Sequence, residues 1–366
     1  MTANLQKFNE DLKKGYKKHN FTKKSVLVAL AALLISCGGG GGGGSSTSSA
    51  TPTTPDTGTS TQPSAPVTTK PTVTTTSSGL TWNDTTFSYD KDNPHNNSNT
   101  TLTGSGVKIG IIDVGFQNSA FDSDLTTKFG SRLTKLTVSG FTAESTSDDD
   151  HGIIVADLAA GSSAGIAKGA TVYVIDSAKK NSSGKTYPAP TLAMYQALAN
   201  NGVTIYNQSF GIDGVVTEFN SNSSSSYYYG YQIGTDMLNF YKNAVNNGSL
   251  FVWAAGNDSS DTQPTLEGGL PYFESGLESG WINVVALTSK VESKLGDTSW
   301  DNLTPLSPAG VAKNWTVTAV GDQTFTVKGQ TYVGGGSSFA APLVTGTAAL
   351  LKEKYPWMDA SLIRQT

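Results

Sequence analysis

The sequence predicts an α/β fold, a mostly parallel sheet with helices on both faces. Two observations carry this. Short apolar runs at 109–112, 172–175, 203–206, 250–254 and 282–287 alternate with helix-like stretches at 153–160, 191–200, 237–246 and 339–354, the pattern of strands joined by crossover helices. Runs such as Ile109-Gly110-Ile111-Ile112 and Leu250-Phe251-Val252-Trp253 are also apolar continuously rather than at every second residue, as in strands buried on both sides. A single domain of about 260 residues or more accounts for all of them.

The part before that domain has another character. Residues 1–24 carry Lys7, Lys13, Lys14, Lys17, Lys18, Lys23 and Lys24, and an apolar run from Ser25 to Ser36 follows and stops at Cys37. Twelve residues suit a signal-peptide core better than a membrane span. Leu34-Ile35-Ser36-Cys37 resembles the bacterial lipoprotein cleavage box, so 1–36 is expected to be a lipoprotein-type signal and Cys37 the acylated new N-terminus. An uncleaved anchor with a chance cysteine is the plainer alternative. Cys37 is the sole cysteine, so no intrachain disulfide forms. Gly38–Gly44 and the Ser/Thr/Pro/Gly stretch to Gly79 cannot bury enough apolar area to offset the entropy of ordering, and 37–79 reads as a tether. The folded part is then 80–366, in which Leu80–Thr103, with Trp82, Phe87 and Tyr89, is expected as an N-terminal arm.

Four segments of the domain carry chemistry. Val107–Gly115 is a buried-strand pattern ending in Asp113 and a turn glycine, where parallel sheets present reactive groups; alone, such an Asp is more readily a turn cap. Asp148-Asp149-Asp150 hands over to a small, apolar helix that begins at His151. The chain has three histidines, and the other two, His19 and His95, fall in segments that read as unfolded. His151 is therefore the imidazole available as a general base near neutral pH. Leu250–Asp258 is a strand that ends in small residues and Asn257, an amide that at a strand end serves either a turn or an oxyanion. Last comes Gly334-Gly335-Gly336-Ser337-Ser338-Phe339-Ala340-Ala341-Pro342, running into an apolar helix. Glycines remove bulk around a nucleophile, and a helix N-terminus turns N–H groups toward an anion formed there.

With these segments in the order Asp, His, Ser, the chain resembles the subtilisin family of serine endopeptidases over roughly Val107 to Leu351, which implies a subtilisin-like fold. The resemblance makes Ser338 the nucleophile, with Ala340-Ala341-Pro342 fixing the register. It makes His151 the general base, Asp113 its orienting carboxylate and Asn257 the side-chain donor of the oxyanion hole. Asn207-Gln208-Ser209-Phe210-Gly211 resembles the family's Asn-x-Ser-x-Gly strand end, which implies that Ser209, Phe210 and Gly211 bind an extended polypeptide by strand addition. Three positions depart from the family: Val114 and Ile153 stand where it has hydroxyl residues, and Ser337 where it usually has Thr. Support for Asp113 and His151 must then come from elsewhere.

The expected activity is hydrolysis of peptide bonds through an acyl-enzyme. The rivals are an inactive peptide-binding module in the same cleft and an adhesin displayed on a tether. A net charge of −4 with no basic patch argues against nucleic acid as a partner; polypeptide substrates and a membrane, reached through Cys37, are the expected partners, and the protein is expected as a monomer. No cofactor or metal is expected: Asp148–Asp150 hints at calcium but reads better as a solvated turn. Asn220–Gly230, with its serine run and Tyr227-Tyr228-Tyr229, either lines the cleft or fills surface. The end, Trp357–Thr366, reads as a helix just begun. Cysteine, tether and protease in this order resemble lipid-anchored autotransporter passengers, so an extracytoplasmic, surface location is expected.

Overall fold

The computed structural model describes residues 101–212, 214–289 and 303–366. The signal and tether expected at 1–79, Cys37 among them, lie outside the described residues, as does the expected arm Leu80–Thr103 except for its last three residues. In chain order the described elements are β1 (Lys108–Asp113), α1 (Asp122–Phe129), β2 (Leu133–Leu136), α2 (His151–Ala160), β3 (Thr171–Asp176), β4 (Ala178–Lys180), β5 (Thr186–Pro188), α3 (Leu192–Asn200), β6 (Ile205–Gln208), α4 (Tyr229–Ile233), α5 (Thr235–Asn246), β7 (Leu250–Ala254), β8 (Trp281–Ser289), β9 (Leu303–Leu306), β10 (Thr316–Val320), β11 (Gln323–Val327), β12 (Gln330–Gly334), α6 (Ser337–Lys354) and α7 (Ala360–Gln365).

The main sheet runs β10-β8-β7-β6-β1-β3-β2, with β9 antiparallel on β8; all its other pairs are parallel. On one side of β1 the chain continues through β3 and β2, on the other through β6 to β10. That reversal is a topological switch point, beyond whose carboxyl ends an open α/β sheet forms its crevice. Asp113 closes β1 there, and Ser209 follows the end of β6.

Alternation along the strands supplies two cores. On one face Tyr206 stacks on Phe251 with ring centroids 4.5 Å apart, and Tyr241 of α5 meets Phe251, Trp253 and Trp281 edge-on at 5.2, 6.1 and 5.3 Å, the geometry aromatic quadrupoles favour. Against the other face lie α2 and α6. Every residue of α2 after His151 is buried, which explains a helix that is apolar on every side but for Asp157, whose carboxylate pairs with Lys128. Expected and observed elements agree, with the strand from 203 beginning at Ile205 and the helix from 191 at Leu192. Sequence reading passed over β2, β9, β10 and the hairpins β4–β5 and β11–β12. In β11 burial alternates residue by residue, so Gln323-Thr324-Phe325-Thr326-Val327 carries no continuous apolar run. No described helix is long and apolar enough to cross a membrane.

Candidate active site

Asp113 is 1% exposed. Its Oδ1 accepts the Val114 N–H at 2.8 Å and lies 2.8 Å from His151 Nδ1. An ionised carboxylate can only accept, so Nδ1 carries the proton and Nε2 is left to act as a base. Two glycines make this approach possible. Gly115, at φ +96°, would bring a Cβ to 2.0 Å from the Asp149 carbonyl oxygen, and a Cβ on Gly152 would lie 2.5 Å from that of Val114. The turn after β1 therefore rests backbone to backbone on the start of α2.

His151 opens α2 with its side chain one-third exposed and its ring 5.7 Å from that of Phe339. Burial works against the imidazolium, but the Asp113 charge, the hydrogen bond to it and the Asp150 charge outweigh burial and hold His151 above its ordinary value of 6.5. Val114 and Ile153, both buried, bring no hydroxyl, and Asp113 Oδ2 has no hydrogen-bond partner among the described residues.

Ser338 is the second residue of α6 and almost fully buried. Its N–H lies in the first turn, which has no intrahelical acceptors. Its hydroxyl does not donate to His151: Ser338 Oγ donates to the Ser209 carbonyl at 3.0 Å, while Ser209 Oγ donates to the Ser338 carbonyl at 2.9 Å. Asn257 Oδ1 accepts the Ser337 N–H at 2.7 Å and the Ser337 hydroxyl at 2.9 Å, which turns Nδ2 to the opposite side of the amide. Ser337 Oγ also accepts from the Gly256 N–H at 3.2 Å. The residue expected to be a mild replacement is thus the one that fixes which end of Asn257 faces the site.

Beyond Ser209 the strand end continues through a half-buried Phe210, edge-on to Trp253 at 5.7 Å, and an exposed Gly211, where a Cβ would sit 2.9 Å from Thr265. The Ile212 N–H is held by both carboxylate oxygens of Glu267 at 3.0 Å, a contact no motif announced. Asp149 Oδ2 is taken up by the Thr146 hydroxyl and backbone N–H and by the Thr186 hydroxyl at 3.1 Å. Among the described residues no cluster of three or more His, Cys, Asp or Glu converges to hold a metal ion.

The sequence model described as "Subtilase family" matches residues 104–366. The Neisserial autotransporter lipoprotein NalP of Neisseria meningitidis is 28% identical over 228 residues, 55% of this chain and 21% of that protein, so the match spans about a fifth of the relative's length. Subtilisin DY of Bacillus licheniformis is 28% identical over 269 residues, 71% of this chain and 82% of that protein. Among solved structures, a mutant of the protease domain of PatA superposes with a TM-score of 0.50 at 21% identity, covering 72% of this chain and 87% of that one, a likeness of fold.

Proposed function

The chain belongs to the subtilase family, and from that premise we propose that it is an active serine endopeptidase working through Asp113, His151 and Ser338. The observation that carries the reading is the buried Asp113 carboxylate, 2.8 Å from His151 Nδ1, beside the switch point; it is supported by Ser338 being bonded to Ser209 at the end of the neighbouring strand β6. An extended polypeptide pairs with the strand end at Ser209–Gly211, and its N–H takes over the Ser209 carbonyl that Ser338 Oγ occupies at rest. The released hydroxyl turns to Nε2. Its oxygen bonds to the substrate carbonyl carbon as the proton passes to His151, and the Ser338 N–H and Asn257 Nδ2 stabilise the oxyanion. Collapse breaks the C–N bond, with the proton delivered to the leaving amine, and water then cleaves the acyl-enzyme by the same route.

The location belongs to the same proposal. The Lys-rich start, the apolar run to Ser36 and the sole cysteine at 37 support export and a lipid anchor on Cys37, in keeping with a relative whose name is autotransporter lipoprotein. The protein is then an extracytoplasmic, membrane-tethered monomer with polypeptide substrates.

The test is an alkyl fluorophosphonate with the full chain at pH 8. A covalent adduct on Ser338, absent from Ser338→Ala and from heat-unfolded protein, is the expected result. A folded preparation with no adduct overturns the reading and leaves a peptide-binding module in its place.

A further inference from the structure

Pro342 stands inside α6 four residues after Ser338. A proline has no N–H, so the Ser338 carbonyl loses the helical donor it would otherwise have. The partner that replaces it is the Ser209 hydroxyl, at 2.9 Å. That hydroxyl is itself oriented: Asn207 Nδ2 donates to Ser209 Oγ at 2.9 Å, and Asn207 Oδ1 accepts the Thr345 hydroxyl at 2.8 Å. Thr345 lies on α6, two turns beyond Ser338 on the same helix face. The bonds therefore close a ring that leaves the nucleophile's helix at Thr345, crosses to β6 through Asn207, and returns through Ser209 to the nucleophile's own carbonyl. Asn207 and Thr345 are fully buried and Ser209 nearly so.

Resting on the serine peptidase reading, we infer that Thr345 is a positioning residue for the reaction. It fixes the nucleophile against the substrate strand through Asn207 and Ser209. Each link is used in one direction. Thr345 can satisfy Asn207 Oδ1 only by donating; Asn207 Nδ2 can only donate to Ser209 Oγ; Ser209 Oγ, having accepted, has its one proton for Ser338 O. The ring sets the height of Ser338 relative to the Ser209 carbonyl, the same carbonyl a substrate strand would use. Packing alone gives no reason for a threonine here, since a β-branched residue is a weaker helix former than alanine and the neighbours Ala348 and Ala349 are buried without polar atoms.

The experiment is a double-mutant cycle between T345V and S209A, read by steady-state hydrolysis of a peptide anilide well below the melting temperature of each variant. T345V is expected to lower kcat about tenfold with KM changed much less, because displacement of reacting groups by about 1 Å costs roughly 10²-fold and one lost link displaces them by less. T345S, which keeps the hydroxyl, is expected to restore kcat. The pH midpoint should not move, since Asp113 and His151 are untouched. In the S209A background T345V should cost little more, because the ring is already open. An unchanged kcat in T345V or in S209A overturns the inference, as does a full, multiplicative loss in the double variant. If T345V does not fold, T345A removes the same hydroxyl with better helix propensity and takes its place. Wild-type protein that neither labels with fluorophosphonate nor cleaves overturns the peptidase reading and this one together; active wild type with an indifferent Thr345 overturns this one alone.

Discussion

Replacing Ser337 by alanine separates the two serines of Gly336-Ser337-Ser338 and measures what the first of them does. In the native site Asn257 Oδ1 holds two bonds from Ser337, from its N–H at 2.7 Å and its hydroxyl at 2.9 Å. Ser337→Ala keeps the first, removes the second and deprives the Gly256 N–H of its acceptor. A net hydrogen bond contributes about 1 kcal/mol. If all of that is felt in the transition state, at about 1.4 kcal/mol per tenfold, kcat falls roughly fivefold. The ceiling is set by losing the amide itself: Asn257→Ala should lower kcat roughly 10²–10³-fold with KM little changed. The assay is kcat and KM on a peptide anilide for S337A, S337T, N257A and the S337A/N257A pair. S337T should match wild type, and the double variant should be no slower than N257A, because the hydroxyl acts through the amide it holds. Two results would refute the reasoning: S337A as inactive as S338A, which would put the nucleophile one residue earlier, or losses that multiply in the double variant.

The proposed mechanism needs neutral His151, whose folded-state pKa is raised, so kcat/KM should climb with pH through a midpoint above 6.5 and then level off. By linkage, the stability contributed by protonated His151 is full below the unfolded value of about 6.5 and disappears as pH rises through the folded pKa; a kinetic midpoint below 6.5 would show that burial outweighs Asp113. Gly115→Ala forces a side chain into φ +96° and a Cβ to 2.0 Å from the Asp149 carbonyl oxygen, so the melting temperature should drop by the equivalent of about 1–3 kcal/mol from the backbone alone, with activity lost because Asp149 and His151 share one turn; an unchanged melting temperature would contradict this. Cys37→Ser should release the protein from membranes, whereas intact mass of the membrane form showing residues 1–36 attached and Cys37 unmodified would end the lipid-anchor proposal.

The strands of the sheet centre and the helices that cover it were legible because both signals are long. Ile109–Ile112 and Leu250–Ala254 are buried on both faces, so every position votes the same way, and α2 and α6 are small and apolar for whole turns. Edge elements such as β2, with one exposed and three half-buried residues, divide their signal between core and solvent. Asp113, His151, Ser338 and Asn257 were readable for another reason. Each is a polar residue at an edge of an apolar run, after it for Asp113 and Asn257 and before it for His151 and Ser338, and the family order links the candidates. What the sequence did not disclose is orientation. Nothing in Gly336-Ser337-Ser338 says that Ser337 grips Asn257, or that Ser338 Oγ rests on Ser209 rather than on the imidazole; both depend on strands that meet only once the sheet has formed.

Several residues that break local rules meet around Ser338. Pro342 interrupts the hydrogen bonds of a buried helix, Thr345 spends a β-branched hydroxyl inside it, and Asn207 and Gln208 put amides into a central strand whose residues are all buried. Asp113 buries a carboxylate with one oxygen unpartnered. Each carries a cost: a lost helix bond, about 1–3 kcal/mol for an unpartnered buried polar atom, and weaker helix propensity. Such choices also occur elsewhere: Asp157 of α2 is a buried carboxylate paired with Lys128 through one oxygen only, and the buried Trp253 indole N–H of β7 has no partner among the described residues. Those at the carboxyl ends of β1 and β6 and on α6 differ in converging on one serine, where stability alone gives no cause for them. The exceptions also answer one another: Pro342 frees the carbonyl that Ser209 takes, and Thr345 holds the amide that orients Ser209. The frame around Ser338 is therefore specified by mutual compensation, and single substitutions within it should be felt first as misplacement of the proposed nucleophile and only second as loss of fold.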